Sequence, residues 1–428
     1  MKREARKQGA AQESGDLGSR FRQMLLPLLA GIVATKKSLT EWVTEIGLAS
    51  VVALMEADAE QLVGPKGKHQ RGRQFNHWGA TLTPFPYAGR HVVLPRPRVR
   101  TADRKKEVAV PSVEAFLTAD PINERVIEQV LLGVSMRGYE PSLGPAPRGA
   151  ATKGTKRSRA SEIFVEETTR RMKAQLIDKL EGLDLIALMI DGIVIAKHTA
   201  IVALGIDIKG DKHVLGLRLG STENKAVCVD LLQDLLGRGL QISGRILCVV
   251  DGSKALRWAL QDVLGDLAVV QRCIAHKRRN VKEYLPQHRR RTVERMLCEA
   301  YASASYKTAK QRLQQAVSWL ERNGEEDAAA SLSEGMEETL TVLKLGLPPA
   351  LCRMFSTTNA IENMVGTIRR VSRNVTRWRD GTMAKRWVAL GLSTAQRHFH
   401  RIKGHRHLPA LVAVLRPNQI VDREEKVA

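Results

Sequence analysis

No run in this 428-residue sequence approaches the roughly eighteen apolar residues that a membrane-spanning helix requires. The N-terminus, Met1-Lys2-Arg3-Glu4-Ala5-Arg6, is charged and lacks the apolar core of a signal peptide. Cysteines are few, scattered and odd in number (Cys228, Cys248, Cys273, Cys298 and Cys352), which argues against a disulfide framework and for reduced thiols. Together these absences predict a soluble, cytoplasmic protein. Acidic residues are also short: 45 Asp and Glu face 68 Lys and Arg, a net charge of +23. A chain this basic is expected to meet a polyanion, with nucleic acid ahead of the alternatives of a solubility surface or basic tails. Hydrophobic content of 43% predicts that most of the chain folds, and its length predicts two or three domains.

Residues 1–60 read as helical, with apolar patches at Met24-Leu25-Leu26 and Val51-Val52-Ala53-Leu54-Met55. Between 61 and 110 the texture changes to eleven basic residues against two acids, interleaved with Phe75, Trp78, Phe85 and Tyr87. Pro95-Arg96-Pro97-Arg98-Val99-Arg100 cannot be helical through its prolines. An extended, phosphate-contacting module with stacking side chains fits this segment, with Arg98 and Arg100 as candidate DNA contacts; a solvated loop region is the bland alternative. Across 111–178 helix returns. Asn123 is placed to cap a helix through Leu132, Gly133 and Gly138 break it, and Ser161 to Lys173 has the spacing of a second, basic helix. This resembles a helix-turn-helix with an overlong linker.

From 185 to 281 apolar runs at 185–195, 199–208 and 213–219, parted by short polar turns, predict a three-strand antiparallel meander. A helix over Glu223–Leu236, a strand at 245–250, a helix from Ser253, a strand at Leu267–Val270 and a further helix follow. Three strands and then β-α-β-α is the order of a ribonuclease-H-like fold. Residues 282–345 read as helical throughout and as an insertion.

Asp191 ends the apolar run Leu185–Ile190 and Asp251 ends Ile246–Val250, each followed by glycine. A carboxylate there is costly unless paired, hydrogen-bonded or bound to a cation. The pattern predicts acids at the tips of neighbouring buried strands. Glu362, in Ser356-Thr357-Thr358-Asn359-Ala360-Ile361-Glu362-Asn363, opens a helix ending in Arg369-Arg370, which are spaced to hold phosphates near the Glu362 face. Three carboxylates of this kind suit two Mg²⁺ ions per active site, with Mn²⁺ as the alternative, for phosphodiester cutting or joining. Competing readings exist. A lone Asp-Gly is usually a turn; Asp207 is a rival carboxylate; Glu334, Glu337 and Glu338 rival Glu362 but sit in a run typical of a solvated helix face. In Gln271-Arg272-Cys273-Ile274-Ala275-His276-Lys277-Arg278-Arg279-Asn280-Val281, Cys273 and His276 have metal-ligand spacing without the second pair that structural zinc needs. The favoured reading puts His276 near the carboxylates and Lys277, Arg278 and Arg279 on DNA backbone; a basic helix start with a buried cysteine is the other.

Asp191-Gly192-Ile193, Val250-Asp251-Gly252, the Gln271–Val281 run and Thr358-Asn359-Ala360-Ile361-Glu362 resemble the Mutator-type DDE transposases of bacterial insertion sequences. Gly205-Ile206-Asp207 with Gly210, Glu223-Asn224, Leu235–Leu240, Arg377-Trp378-Arg379-Asp380-Gly381, Arg386-Trp387, Pro97–Arg100 and Leu131–Tyr139 extend the resemblance over about 75 to 415. It implies a transposase that binds the terminal inverted repeats of a mobile element, cleaves at its ends, and uses the freed 3′-hydroxyl for strand transfer into target DNA as a dimer or higher assembly. It also implies Asp191, Asp251 and Glu362 as the metal-binding triad, and Cys273, His276 and Asn359 as an accessory site. Glu162 departs from the basic residue expected beside DNA. The organisation that follows is an N-terminal helical and basic region (1–110), a helix-turn-helix-like DNA-binding region (111–178), the first part of the core (179–281), an all-α insertion (282–345), the second part of the core (346–400) and a tail (401–428). A ribonuclease-H-like nuclease or junction resolvase that hydrolyses without joining is the alternative, and a binding-only repressor a third reading.

Overall fold

The computed structural model describes residues 39–417, apart from 69–71, 119–121, 145, 148–150, 154, 155, 221 and 223. The expected helical patch at Met24-Leu25-Leu26 and the acid Glu223 therefore lie outside the described residues. The chain forms two compact units, Met1–Val165 and Glu166–Ala428. Among the described residues no helix is long and apolar enough to cross a membrane.

The first unit is built on a hairpin. Helix α1 (Leu39–Val63) is followed by β1 (Phe75–Tyr87) and β2 (Arg90–Thr101), which pair antiparallel from Phe75↔Thr101 to Tyr87↔Arg90. The proline-rich Pro95–Arg100 segment is thus extended, as its fixed φ angles require. Short strands β3 (Glu107–Val108) and β4 (Thr152–Lys153) both pair with β2. Helix α1 buries Met55, Ala59 and Val63 against Phe85, Val92, Leu94 and Val99 of the hairpin. Helices α2 (Pro111–Thr118), α3 (Ile122–Leu131) and α4 (Tyr139–Ser142) follow. Asn123 lies inside the first turn of α3 and does not cap it, because the helix already begins at Ile122. Helix α5 (Arg157–Ile177) starts before, and ends beyond, the expected Ser161–Lys173 span.

The second unit is a mixed sheet between helices. Strands β5 (Leu185–Ile195), β6 (His198–Asp207) and β7 (Lys212–Gly220) form the expected meander. Helix α6 (Lys225–Gly237), β8 (Ile246–Val250), α7 (Lys254–Leu264) and β9 (Ala268–Arg272) complete a sheet of order β7-β6-β5-β8-β9, in which β8 and β9 join parallel. The β8 strand is continuously apolar because both faces are covered. Ile246, Cys248 and Val250 point to the face packed by α6 and α7. Leu247 and Val249 point to the other, closed by helices from much later in the chain.

Between β9 and those later helices lie α8 (Ile274–Glu283), α9 (Gln287–Tyr301), α10 (Tyr306–Arg322), α11 (Glu326–Ser333), α12 (Met336–Thr339) and α13 (Thr341–Lys344). From Val281 to Leu340 they share an apolar cluster of their own. Gln271, fully buried in β9, pins the returning chain. Its amide nitrogen donates to Thr339 O at 2.9 Å and its Oε1 accepts from Val342 N at 2.9 Å. Helices α14 (Pro349–Phe355), α15 (Asn359–Ser372), α16 (Gly381–Gln396) and α17 (Leu408–Leu415) then cover the second sheet face.

Candidate active site

The sheet register brings Asp191 and Asp251 together. Ile190 and Val250 are partners in the parallel β5–β8 ladder, so the two aspartates follow each other across strands about 4.8 Å apart. Alternation puts Asp191 on the face of Met189 and Ile193, and Asp251 on the face of Leu247 and Val249. Helix α15 packs on that same face through Ile361, Met364, Val365 and Ile368, and Glu362 stands in its first turn. The three acids of the sequence expectation therefore converge from β5, the end of β8 and α15.

One detail differs from that expectation. Asp191 is not at a strand tip: β5 continues through Gly192 to Ile195, with Asp191 paired to Val202. The Asp-Gly pair reads as a turn locally, but β6 supplies a cross-strand partner for every residue beyond it. Only β8 ends at this level, and Asp251 leaves the sheet there. Its Oδ1 accepts from Ser253 N at 2.9 Å, and Gly252 turns with φ +105°. A Cβ at Gly252 would run into the guanidinium of Arg272.

The electrostatics are strained. Asp191 is 9% exposed, and its pKa is pushed up to about 6 by burial first and by the neighbouring charge of Asp251 second. The Gly192 N–H, 2.9 Å from Oδ1, and His276 oppose that rise; Glu362 adds to it. His276 Nδ1 lies 3.6 Å from Glu362 Oε1. Thr358, fully buried, donates to Glu362 Oε1 at 2.8 Å and stands 3.3 Å from Cys273 Sγ. Burial pushes the Cys273 thiol up, but the hydrogen bonds of His276 and Thr358 outweigh it and hold the thiol below its usual value. His276 is raised, chiefly by its hydrogen bond with Cys273. Cys273, His276 and Glu362 offer ligand atoms within 4.8 Å of one another. The start of α8 that carries this pair is tied to two other segments, Cys273 N donating to Val250 O at 2.8 Å and Ile274 N to Ser356 O at 2.9 Å.

The rival acids are engaged elsewhere. Asp207 accepts from Lys209 N and Asp211 N and pairs with His213 at 3.0 Å. Glu334 faces Arg272, Glu337 pairs with Lys310 at 2.5 Å, and Glu338 with Arg257 at 2.6 Å.

The basic candidates divide. Arg279, Arg369 and Arg370 are exposed, and so is Asn359 at the start of α15. Arg278 is bound to Glu294. Arg98 is held by Glu107 at 2.8 Å, and Arg100 lies over the Trp78 ring at 4.8 Å. Lys277 turns away from any DNA surface: it is 1% exposed, and its ammonium donates to the carbonyls of Ser331 and Glu334 at 2.6 Å each. Burial lowers its pKa to about 8. The expected backbone contact at Lys277 is thus replaced by a structural one. Arg272 is also inward, against Gly252 and Gly335, with its Nη1 3.2 Å from Glu334 O. No local signal separates these two cations from their exposed neighbours, since their partners come some sixty residues later.

A family model described as transposase, Mutator family, matches residues 172–401, more than half of the chain and including all three acids. The chain belongs to the Mutator family of transposases. Among curated relatives, a probable transposase for an insertion sequence element of Corynebacterium diphtheriae is 28% identical over 195 residues, covering 43% of this chain and 52% of that protein. The transposase for insertion sequence element IST2 of Acidithiobacillus ferrooxidans is 28% identical over 199 residues, 46% of this chain and 64% of that one. For the ISRM3 transposase of Rhizobium meliloti (strain 1021) the figures are 28% over 202 residues, 47% and 49%. The chain spans about half to two thirds of the length of these relatives.

Proposed function

We propose that this protein is a DNA transposase that binds the terminal inverted repeats of its element, cleaves a strand there, and joins the freed end to target DNA. The observation that carries the reading is the convergence of Asp191, Asp251 and Glu362 on one sheet face. A carboxylate whose pKa is raised to about 6 by burial and then by its acidic neighbours marks negative charge that the protein itself leaves uncompensated. The donors are hard oxygens, which fits Mg²⁺ or Mn²⁺ better than a thiophilic metal. The sheet order and strand directions support a ribonuclease-H-like core.

Asp191, Asp251 and Glu362 would hold the metal. Divalent ions bound there supply positive charge for the leaving oxygen and lower the pKa of the attacking one. The remaining work belongs to the chain. Thr358 fixes the rotamer of Glu362 by its 2.8 Å hydrogen bond, and His276 offsets part of the clustered negative charge. Exposed Arg369 and Arg370, two turns along α15, stand ready for phosphates. In the first step a water oxygen bonds to phosphorus and the P–O3′ bond breaks, releasing a 3′-hydroxyl. In the second that oxygen bonds to a target phosphorus and a target P–O bond breaks. Two element ends must be joined in concert, which favours a dimer or larger assembly on DNA.

The test uses purified protein, Mg²⁺ and a labelled inverted-repeat end. Nicked and joined products are expected, and Asp191→Asn abolishes both. Full activity in that variant overturns the site; products that stay unjoined turn the reading to a hydrolytic nuclease.

A further inference from the structure

A cavity of about 580 Å³ opens beside α15. Its walls come from the start of β7 (Lys212), from α14 (Arg353) and from the segment after α16 that carries His400, Arg401 and Lys403. Thr357, Asn359 and Asn363 form the remaining polar wall. Among the described residues no carboxylate lines it.

Three of the four Lys and Arg side chains there are not spent on the protein's own acids. Arg401 is held by Asp211 at 3.0 Å, but Lys212, Arg353 and Lys403 have no carboxylate partner among the described residues. Lys212 is half-buried, its ammonium 5.2 Å from the Phe399 ring, and burial lowers its pKa. Thr357 Oγ1 is shielded from solvent yet has no hydrogen-bond partner among the described residues. Three unneutralised cations around an orphaned hydroxyl make a groove that wants an anion with oxygen acceptors.

Its place says which anion. Asn359 and Asn363 are spaced i, i+4, so they share one face of α15, and Glu362 is three residues from Asn359 on the adjoining face. The cavity therefore shares the first turn of α15 with Glu362, although Glu362 itself does not line it. Its cations stand on three separate elements, which suits a running backbone better than one compact anion.

We propose that this groove, through Lys212, Arg353 and Lys403, seats the phosphodiester backbone of the DNA strand that leads into the acid site. The inference rests on the proposed role of Glu362, but it is tested by binding alone. Full-length protein is titrated, in chelator, onto a labelled random-sequence DNA duplex at increasing salt. Each phosphate contact contributes about 0.9 to the log–log salt slope. Replacing Lys212, Arg353 and Lys403 together by Gln should make the slope shallower by about 2.7, and Arg353→Gln or Lys403→Gln alone by about 0.9. The single variants, both at exposed positions, keep the test valid if the triple variant does not fold. The control removes the same charge elsewhere, by Arg295→Gln, Lys307→Gln and Arg322→Gln on the insertion, and should leave the slope within about one. An unchanged slope in the groove variants, or an equal fall in the control, overturns the proposal. Persistent cleavage by Asp191→Asn would overturn the acid site while leaving the slope comparison intact.

Discussion

Removal of Asp191, a proposed metal ligand, should make the metal-free protein more stable. Its carboxyl titrates near pH 6 in the folded chain against an ordinary value of 3.8. The folded state thus holds its proton more tightly than the unfolded state, so stability is full below about pH 3.8 and falls as pH rises to and through 6. At 1.36 kcal/mol per tenfold change in proton affinity, the cost at neutral pH is about 3 kcal/mol. Asn keeps the oxygen that accepts from Gly192 N and carries no charge. Asp191→Asn should therefore melt higher than wild type at pH 8 in chelator. For a unit of this size that corresponds to roughly 6 °C or somewhat more, and the gap should close as pH approaches 4. Saturating Mg²⁺ should raise the wild-type midpoint by preferential binding to the folded state and leave the variant where it was. Differential scanning fluorimetry across pH, with and without chelator, reads all of this. A variant that melts at or below wild type at pH 8 refutes the claim that Asp191 carries uncompensated charge.

Gly252→Ala should destabilise the second unit by about 1–3 kcal/mol, because φ +105° disfavours any side chain and Arg272 occupies the space; an unchanged denaturation midpoint would refute this. Lys277→Ala should cost about 1–3 kcal/mol by stranding the Ser331 and Glu334 carbonyls. That variant should leave the salt slope of DNA binding unchanged, and a fall of about one would return Lys277 to the DNA surface. Thr358→Val should lower Mg²⁺-dependent cleavage about 10–100-fold by freeing Glu362, and shift the Mg²⁺ requirement upward. Thr358→Ser should restore most of both; if it stays as impaired as Val, the hydroxyl is not the cause.

The strands around the site were readable because β5, β6 and β8 are near-continuous apolar runs bounded by polar turns, and both sheet faces are covered. The observed limits agree with the expected ones to within a residue or two. The convergence of the acids was likewise accessible, since Asp191 and Asp251 each follow an apolar run and Glu362 opens a helix. What failed was local in form and distant in cause. Asp191 was expected at a strand tip, yet the strand runs on past it, with Gly192 paired to Ile201. Lys277 sits in a basic run indistinguishable from Arg278 and Arg279, and its burial is decided by carbonyls on α11 and just beyond it. Gln271 carried no signal at all, because an amide shows its value only when both of its ends find partners. The basic groove escaped for the same reason: Lys212, Arg353 and Lys403 are isolated in sequence and meet only when folded.

The two faces of the second sheet are sealed at very different times in the life of the chain. Helices α6 and α7 arrive beside the strands they shield, whereas α14 to α17 emerge only after the whole insertion has been made. On the ribosome, Met189, Val202 and Val249 must wait uncovered for residues beyond 349 while the insertion gathers its own core. That delay gives a nascent chain a window for sticking to its neighbours. Slowing synthesis near the insertion should lengthen the window and lower the soluble yield, with nothing in the finished molecule altered.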